Sequence, residues 1–348
     1  MNEHDKYIQR CLELAASGLG NVAPNPLVGA VLVKDGKITG EGFHHRFGEA
    51  HAEVNAINSF LDSGNQDELS KAILYINLEP CNHHGKTPPC TVEIIKHKIP
   101  CIVIGCADPN PFVAGKGIEV LRAAGCEVVT GILEKESREL NRRFITYHTL
   151  KRPYIILKFA KSKDGFLAPE NFKNKEESWL TNEWSRKLVH KWRSEEQAVM
   201  IGTNTAITDD PLLTTRFWSG KNPVRIVIDR KLRLPDSLNI FNDAAPTIVF
   251  NELKNEMKDN LKYLKIDFTY PLEEMLHVLY IEEIQSVIIE GGVKLLNSFI
   301  KKNLWDEARV FTADKFFIKG IKAPVIPLDA VAKENIDRDE LLIFRNTF

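Results

Sequence analysis

The 348-residue sequence predicts an α/β protein built as two domains. Three observations carry this expectation. Short β-rich runs alternate with amphipathic helical patterns along the chain, the mark of layered α/β units. A basic, proline-marked stretch, HTLKRPYIILKFA at 148–160, interrupts the alternation. The length also exceeds what one hydrophobic core usually serves, so domains at 1–148 and 149–348 are expected.

In the first half GAVLVKDG (29–36), KAILYINL (71–78), CIVIGC (101–106) and CEVVTG (126–131) read as strands. Helical spacing falls at 3–17, 51–63, 91–98, 116–124 and 134–147. In the second half the strand readings are AVMIG (198–202), VRIVID (224–229), TIVF (247–250), SVIIEGG (286–292) and ARVFTAD (308–314). Helices are expected at 182–194, 271–282 and 293–302. Within the first of these, Trp184, Leu188 and Trp192 recur at i, i+4 and i+8 and are expected to form a core stripe. No internal repeat or low-complexity segment interrupts the pattern.

Apolar residues make up 43% of the chain and charged residues 27%, as in soluble globular proteins. A formal net charge of −1 argues against electrostatic capture of nucleic acid or anionic membrane. No apolar run approaches the roughly 18 residues that span a bilayer. The N-terminal MNEHDKYIQRCLELAASGLG is polar and amphipathic, unlike a signal peptide. A cytoplasmic protein with reduced thiols is expected, in which six cysteines point to metal binding or core packing.

HAEVNAINSF (51–60) and EPCNHHGKTPPC (79–90) place one imidazole and two thiols where a zinc ion can use them. A catalytic zinc site keeps three protein ligands and one open position, and His51, Cys81 and Cys90 supply the three. Two thiolates and a neutral imidazole balance the charge of the ion. His51 is expected in the first turn of its helix, and Cys90, after Pro88 and Pro89, at the start of another. Glu53 is too near His51 in sequence to join the same ligand set easily. It suits a proton carrier, the catalytic role. H-x-E followed by P-C matches zinc nucleobase deaminases, although the second cysteine here follows as P-C-x8-C. Core cysteines or a structural zinc site are the alternative, but a structural site uses four protein ligands and leaves Glu53 without a role. Cys11, Cys101, Cys106 and Cys126 sit in apolar runs and read as core.

With PNPLVG (24–29), GFHHRFGEAHAE (42–53) and DPNPFVAGKG (108–117), these segments resemble the cytidine deaminase-like superfamily. Within it they resemble the deaminase domain of the bifunctional riboflavin-biosynthesis deaminase–reductase family, whose own pattern has the long insertion between the cysteines. The resemblance implies a three-layer α/β/α domain, with Asn25, His44, Lys86, Asp108 and Asn110 lining the substrate pocket. An asparagine can bond a pyrimidine edge, and a lysine can meet phosphate or ribose oxygens. Asp108 and Asn110 are equally ordinary turn formers.

The second half has neither a dinucleotide nor a P-loop glycine fingerprint. VIIEGGVKLLNSFI (287–300) is a strand, a glycine pair and a helix, an arrangement whose amides can hold a phosphate. Arg193 and Arg216 suit phosphate recognition. LKFAKSKDG (157–165), ESWLT (177–181), TNTAITDDPLLTTR (203–216) and IEGG (289–292) resemble, in this order, the reductase domain of the same family. That implies a dihydrofolate reductase-like α/β domain using NADPH. By the resemblance Lys161, Trp179, Thr205, Asp209 and the stretch Gly292, Val293, Lys294, Leu295, Leu296, Asn297 and Ser298 contact the cofactor. Glu177, Arg193, Leu213, Arg216 and Glu290 contact the ribose-phosphate substrate. Lys161 and Lys163 depart from the small and apolar residues usual in that family, and Glu177 from a serine often found there.

The expectation is a two-step riboflavin-pathway enzyme with one Zn²⁺ per chain and NADPH. Its partners are phosphoribosylaminopyrimidine substrates and, in a homo-oligomer, copies of itself, with no nucleic acid and no membrane. A nucleic-acid-editing deaminase shares the metal motif but calls for a basic, aromatic surface. A non-catalytic zinc module leaves Glu53 incidental.

Overall fold

The computed structural model describes residues 2–62, 66–85, 88–110, 113–170 and 180–346. The chain divides into two compact units, Met1–Lys151 and Arg152–Phe348. This boundary falls slightly later than 148/149, because the last helix of the first unit runs on to Leu150 and ends at left-handed Lys151.

The first unit orders its strands β1 (Gly29–Lys34), β2 (Lys37–Phe43), β3 (Ile73–Leu78), β4 (Cys101–Cys106) and β5 (Glu127–Thr130) as β2-β1-β3-β4-β5. The pairs β2–β1 and β1–β3 are antiparallel, and β3–β4 and β4–β5 are parallel. Asp35 and Gly36, read above as the end of a strand, both have positive φ and form the tight turn of the β1–β2 hairpin.

Around this sheet lie α1 (Glu3–Ala16), α2 (Ala52–Asp62), α3 (Cys90–Lys96), α4 (Lys116–Ala123), α5 (Glu134–Leu140) and α6 (Arg142–Leu150). Alternation along β1, β3 and β4 sends Ala30, Leu32, Leu74, Ile76, Ile102 and Ile104 to one face, against α2, α3 and α4. Val31, Val33, Tyr75 and Val103 go to the other, against Tyr7, Ile8, Cys11 and Leu12 of α1. Three layers follow, as expected. A Cβ at Gly42 would stand 2.4 Å from the backbone nitrogen of Ala56, so α2 can lie directly on β2 only because that residue is glycine. The same Cβ would stand 2.6 Å from the Ala52 carbonyl oxygen, so the contact also fixes the start of α2, immediately after His51.

The expected helix at 134–147 is two, α5 and α6, joined at Asn141. The buried Asn141 side chain is committed elsewhere, accepting from Leu27 N (2.8 Å) and donating to Leu27 O (2.9 Å).

The second unit contains β6 (Tyr154–Ser162), β7 (Phe166–Pro169), β8 (Ala198–Gly202), β9 (Val224–Ile228), β10 (Thr247–Asn251), β11 (Glu256–Lys258), β12 (Leu261–Lys265), β13 (Ser286–Ile289), β14 (Glu307–Ala313), β15 (Gly320–Lys322), β16 (Ala332–Ile336) and β17 (Asp339–Arg345). Its large sheet runs β11-β12-β10-β9-β8-β13-β6-β14-β17-β16. Pairings from β12 through β14 are parallel, and the outer ones are antiparallel. The helices are α7 (Glu183–Glu195), α8 (Thr203–Asp209), α9 (Pro271–Ile281) and α10 (Val293–Lys301). Leu272, Met275, Leu276, Leu296 and Phe299 of α9 and α10 pack on one face of the sheet. Val189, Trp192 and Ala206 of α7 and α8 pack on the other. A mainly parallel sheet needs both faces covered in this way.

The core stripe expected of α7 is partly wrong, since Trp184 is 62% exposed with the Lys187 ammonium over its ring. At 3.6 residues per turn, a step of eight leaves a residue about 80° off the starting face. The buried line is Ser185, Val189 and Trp192. No helix among the described residues is long and apolar enough to cross a membrane.

Candidate functional site

In the first unit the ends of three elements converge. His51 immediately precedes α2, rather than lying in its first turn, and its carbonyl accepts from Asn55 N (3.0 Å). Cys81 follows β3 by a short turn, and Cys90 opens α3 behind Pro89. The His51 Nδ1 lies 3.5 Å from Cys81 Sγ and 3.3 Å from Cys90 Sγ, and the ligand atoms of the three lie within 4.8 Å of one another. Tetrahedral zinc with ordinary Zn–N and Zn–S lengths sets N···S separations of about 3.6 Å. The donor set and its spacing therefore fit zinc. The Cys90 N–H also donates to Cys81 Sγ (3.3 Å).

Glu53, on the first turn of α2, is 2% exposed and hydrogen-bonds with Cys90. Burial, then the neighbouring Cys81 charge, pushes its carboxyl up to about 7. Cys81 is lowered to about 4, first by its hydrogen bond with Cys90 and further by His51, against burial. The Cys90 thiol is raised by the same Cys81 contact and by burial. His51 is raised, chiefly by its bond with Cys81.

His44 stands edge-on to His51, with ring centres 5.2 Å apart. Its Nδ1 bonds the Ala50 carbonyl (3.0 Å), so Nδ1 carries the proton and Nε2 accepts from Asn25 Nδ2 (3.0 Å). Burial lowers its pKa, which keeps that neutral tautomer. Asn25 and His44 thus come together with His51. Asp108 is drawn to the same place: burial pushes its carboxyl up to about 6, and the Cys81 charge is among its neighbours. Its Oδ1 accepts from Asn110 N (2.7 Å). Lys86 lies outside the described residues.

In the second unit the parallel neighbours β8 and β13 bring their carboxyl ends together, the usual ligand-binding edge of such a sheet. Thr205 of α8 accepts from Gly292 N (3.0 Å), the residue before α10. Asp209 ends α8. Val293 and Lys294 lie at the start of α10, but Leu296 is fully buried in the core, with Leu295 packed against it. Ser298 bonds back to the Lys294 carbonyl (2.8 Å), and Asn297 lies beside it on the same helix. Only the beginning of the stretch 292–298 faces Thr205. Lys161 lies on β6 opposite Thr312. Glu177 and Trp179 are outside the described residues.

Glu290 follows β13 and takes Arg193 Nε (2.8 Å) and Nη2 (2.9 Å) as a two-pronged pair, with Lys158 Nζ at 3.5 Å. Burial alone would raise this carboxyl, but the Arg193 and Lys158 charges outweigh it and hold it well below the usual range. Arg193 also donates to the Thr214 carbonyl (3.2 Å), and Arg216 to the Thr214 hydroxyl (3.2 Å). Leu213, left-handed at φ 53°, turns the chain into this segment. Arg193 is therefore committed within the protein, whereas Arg216 is exposed. His190, one turn before Arg193, is buried beside Phe217, with burial and the two arginines lowering it to about 4. Sequence reasoning missed Lys158 and His190. A lone lysine inside the buried-type run YIILKFA was the available signal for the first.

A zinc-ligand set in a three-layer domain, followed by a largely parallel α/β unit, defines a two-domain protein whose first domain is of the zinc deaminase class. The family models agree. Residues 1–106 match the cytidine and deoxycytidylate deaminase zinc-binding region, and 153–322 match the RibD C-terminal domain. The riboflavin biosynthesis protein RibD of Aquifex aeolicus is 41% identical, with 99% of each chain covered. That of Bacillus amyloliquefaciens is 42% identical over 91% of this chain and 86% of the relative. A crystal structure of a diaminohydroxyphosphoribosylaminopyrimidine deaminase/5-amino-6-(5-phosphoribosylamino)uracil reductase from Thermotoga maritima is 39% identical. It covers 99% of each chain with a TM-score of 0.88. The chain belongs to the RibD family of riboflavin biosynthesis proteins. It is a bifunctional enzyme, joining a zinc-dependent deaminase to an NADPH-dependent reductase.

Proposed function

We propose that the N-terminal unit deaminates 2,5-diamino-6-(5-phosphoribosylamino)pyrimidin-4-one, and that the C-terminal unit reduces the product's ribosyl group to a ribityl chain. The observation that carries the first step is Glu53 buried against the His51–Cys81–Cys90 set. Those three side chains would hold zinc, which would supply the Lewis acidity that makes water nucleophilic near neutral pH. Glu53 takes one proton of the attacking water to a ring nitrogen, where it stays, and then carries the remaining hydroxyl proton to the departing amine, so that water and a C–NH₂ become a carbonyl and ammonia. Asn25 spends one amide hydrogen on His44, which leaves the other hydrogen and Oδ1 for the pyrimidine edge. Asp108 and Asn110 complete the described part of the pocket.

In the second step Thr205, Asp209 and the start of α10 would hold NADPH, which would supply the hydride for C1 of the opened ribosyl group. The protein's part is positioning. Exposed Arg216 meets the phosphate, while Glu290, fixed by Arg193 and Lys158, stands ready for a ribosyl hydroxyl. All six cysteines are free, in keeping with a cytoplasmic compartment. A homo-oligomer belongs to the same proposal, and sedimentation reads it.

The test feeds zinc-loaded protein the diaminopyrimidine ribosyl phosphate and follows ammonia, then NADPH consumption. Both should appear in that order. No ammonia from metal-loaded protein would sink the reading, and preferential deamination of single-stranded nucleic acid would put an editing enzyme in its place. Arg216→Ala should raise the KM for the deaminated substrate more than that for NADPH; the reverse would put the arginine on the cofactor.

A further inference from the structure

Glu79 lies two residues before the metal ligand Cys81 and is 4% exposed. Its hydrogen-bond partners are backbone amides. Oε2 accepts from Asp108 N (3.1 Å) and Gly115 N (3.0 Å), and Oε1 accepts from Gly117 N (3.0 Å) and Ile118 N (3.4 Å). A carboxylate offers about four lone-pair sites, so these four donors use its accepting capacity. Its own N–H donates to the Cys106 carbonyl (2.9 Å), which ties the same residue to the end of β4.

The surroundings are built for this grip. A Cβ at Gly117 would stand 2.3 Å from the Pro80 carbonyl and 3.2 Å from Glu79 Oε1, so a side chain there would push the start of α4 away. One turn of chain, Glu79–Pro80–Cys81, therefore carries both a metal ligand and the anchor for the segment holding Asp108.

We infer that Glu79 is a positioning residue for the deaminase. Its carboxylate sets the backbone of Asp108 and the start of α4 against the turn that bears Cys81, and so fixes the distance between metal centre and substrate pocket. The inference rests on Asp108 meeting the substrate. A structural carboxylate would serve equally well anywhere in the fold; this one joins the two halves of a single site. Because the donors are N–H groups, an amide in its place keeps one acceptor and turns an N–H toward two others, which is repulsive.

Glu79→Gln in the full chain is the direct test. The deaminase kcat/KM should fall about tenfold or more, mainly through a higher KM, as expected for a displaced pocket wall. Zinc content and reduction of the already deaminated substrate should not change. Asp108→Asn should raise KM by itself, and the double variant should lose no more than Asp108→Asn alone, since Glu79 acts through that segment. A wild-type KM in Glu79→Gln, or additive losses in the double variant, would overturn the inference. Loss of zinc would overturn it too, by showing action through Cys81. If Glu79→Gln does not fold, Glu79→Asp keeps both oxygens at shorter reach and should show a smaller KM rise; an unchanged KM there rejects the proposal. Asp108→Asn without effect would remove Asp108 from the pocket and this inference with it. A harmful Asp108→Asn beside a silent Glu79→Gln would reject Glu79 alone.

Discussion

Glu53 and Glu290 are both buried carboxyls, and their neighbours drive them in opposite directions. Glu53 shares its pocket with thiols and rises to about 7, whereas Glu290 is held low by Arg193 and Lys158. The first is suited to carrying a proton and the second to remaining charged. Glu53→Gln should keep its zinc, because the carboxylate is no ligand, while ammonia release falls by about 10²–10⁴-fold, the usual worth of a positioned proton carrier. Metal analysis beside an ammonia assay reads this, and lost zinc would make Glu53 a ligand after all. Glu290→Ala leaves the buried Arg193 and the half-buried Lys158 without their counter-ion. Removing one partner of such a group costs about 3–5 kcal/mol. Thermal unfolding should show that loss in the C-terminal unit, with reduction abolished and deamination retained. An unchanged melting temperature would mean that Arg193 and Lys158 find other partners.

At the scale of elements, what the sequence disclosed depended on how local the signal was. Most helices followed from 3.6-residue spacing, though the short α8 did not, and the metal ligands followed from two short segments whose residue types have few other uses together. Longer spacings misled, as Trp184 shows, because small angular errors accumulate along a helix. Short outer strands such as β11, β15 and β16 were not read, since exposed residues there carry little alternation. Glu79 was invisible because its partners are amides, which every residue has. The Lys158–Glu290 contact joins positions 132 apart that only the sheet order brings together. Asn141 also illustrates a hidden link. It separates α5 from α6 and holds Leu27 from both sides, close to Asn25 in the chain. Asn141→Ala leaves the buried Leu27 N–H unpaired, a loss of about 1–3 kcal/mol. The first unit should melt lower, and the KM for deamination should rise as the 24–29 segment loosens. A lower melting point with unchanged KM would confine Asn141 to stability.

For the whole molecule, the division into two units means that the two chemistries rest on separate cores. All three zinc ligands belong to the first, just before α2, at the start of α3 and after β3, so a zinc ion held there would cross-link three segments of that unit alone. An ion that binds only the folded state stabilises the unit that holds it. Removing zinc with a chelator should therefore lower the melting of the first unit alone, in a calorimetric trace with two transitions. Ammonia release should stop, while the stripped protein still oxidises NADPH when given the deaminated substrate. Restoring zinc should bring back both deamination and the first transition. Reduction lost together with the metal would show that the C-terminal chemistry depends on the first unit's fold, and the two activities would then be one machine instead of two in sequence.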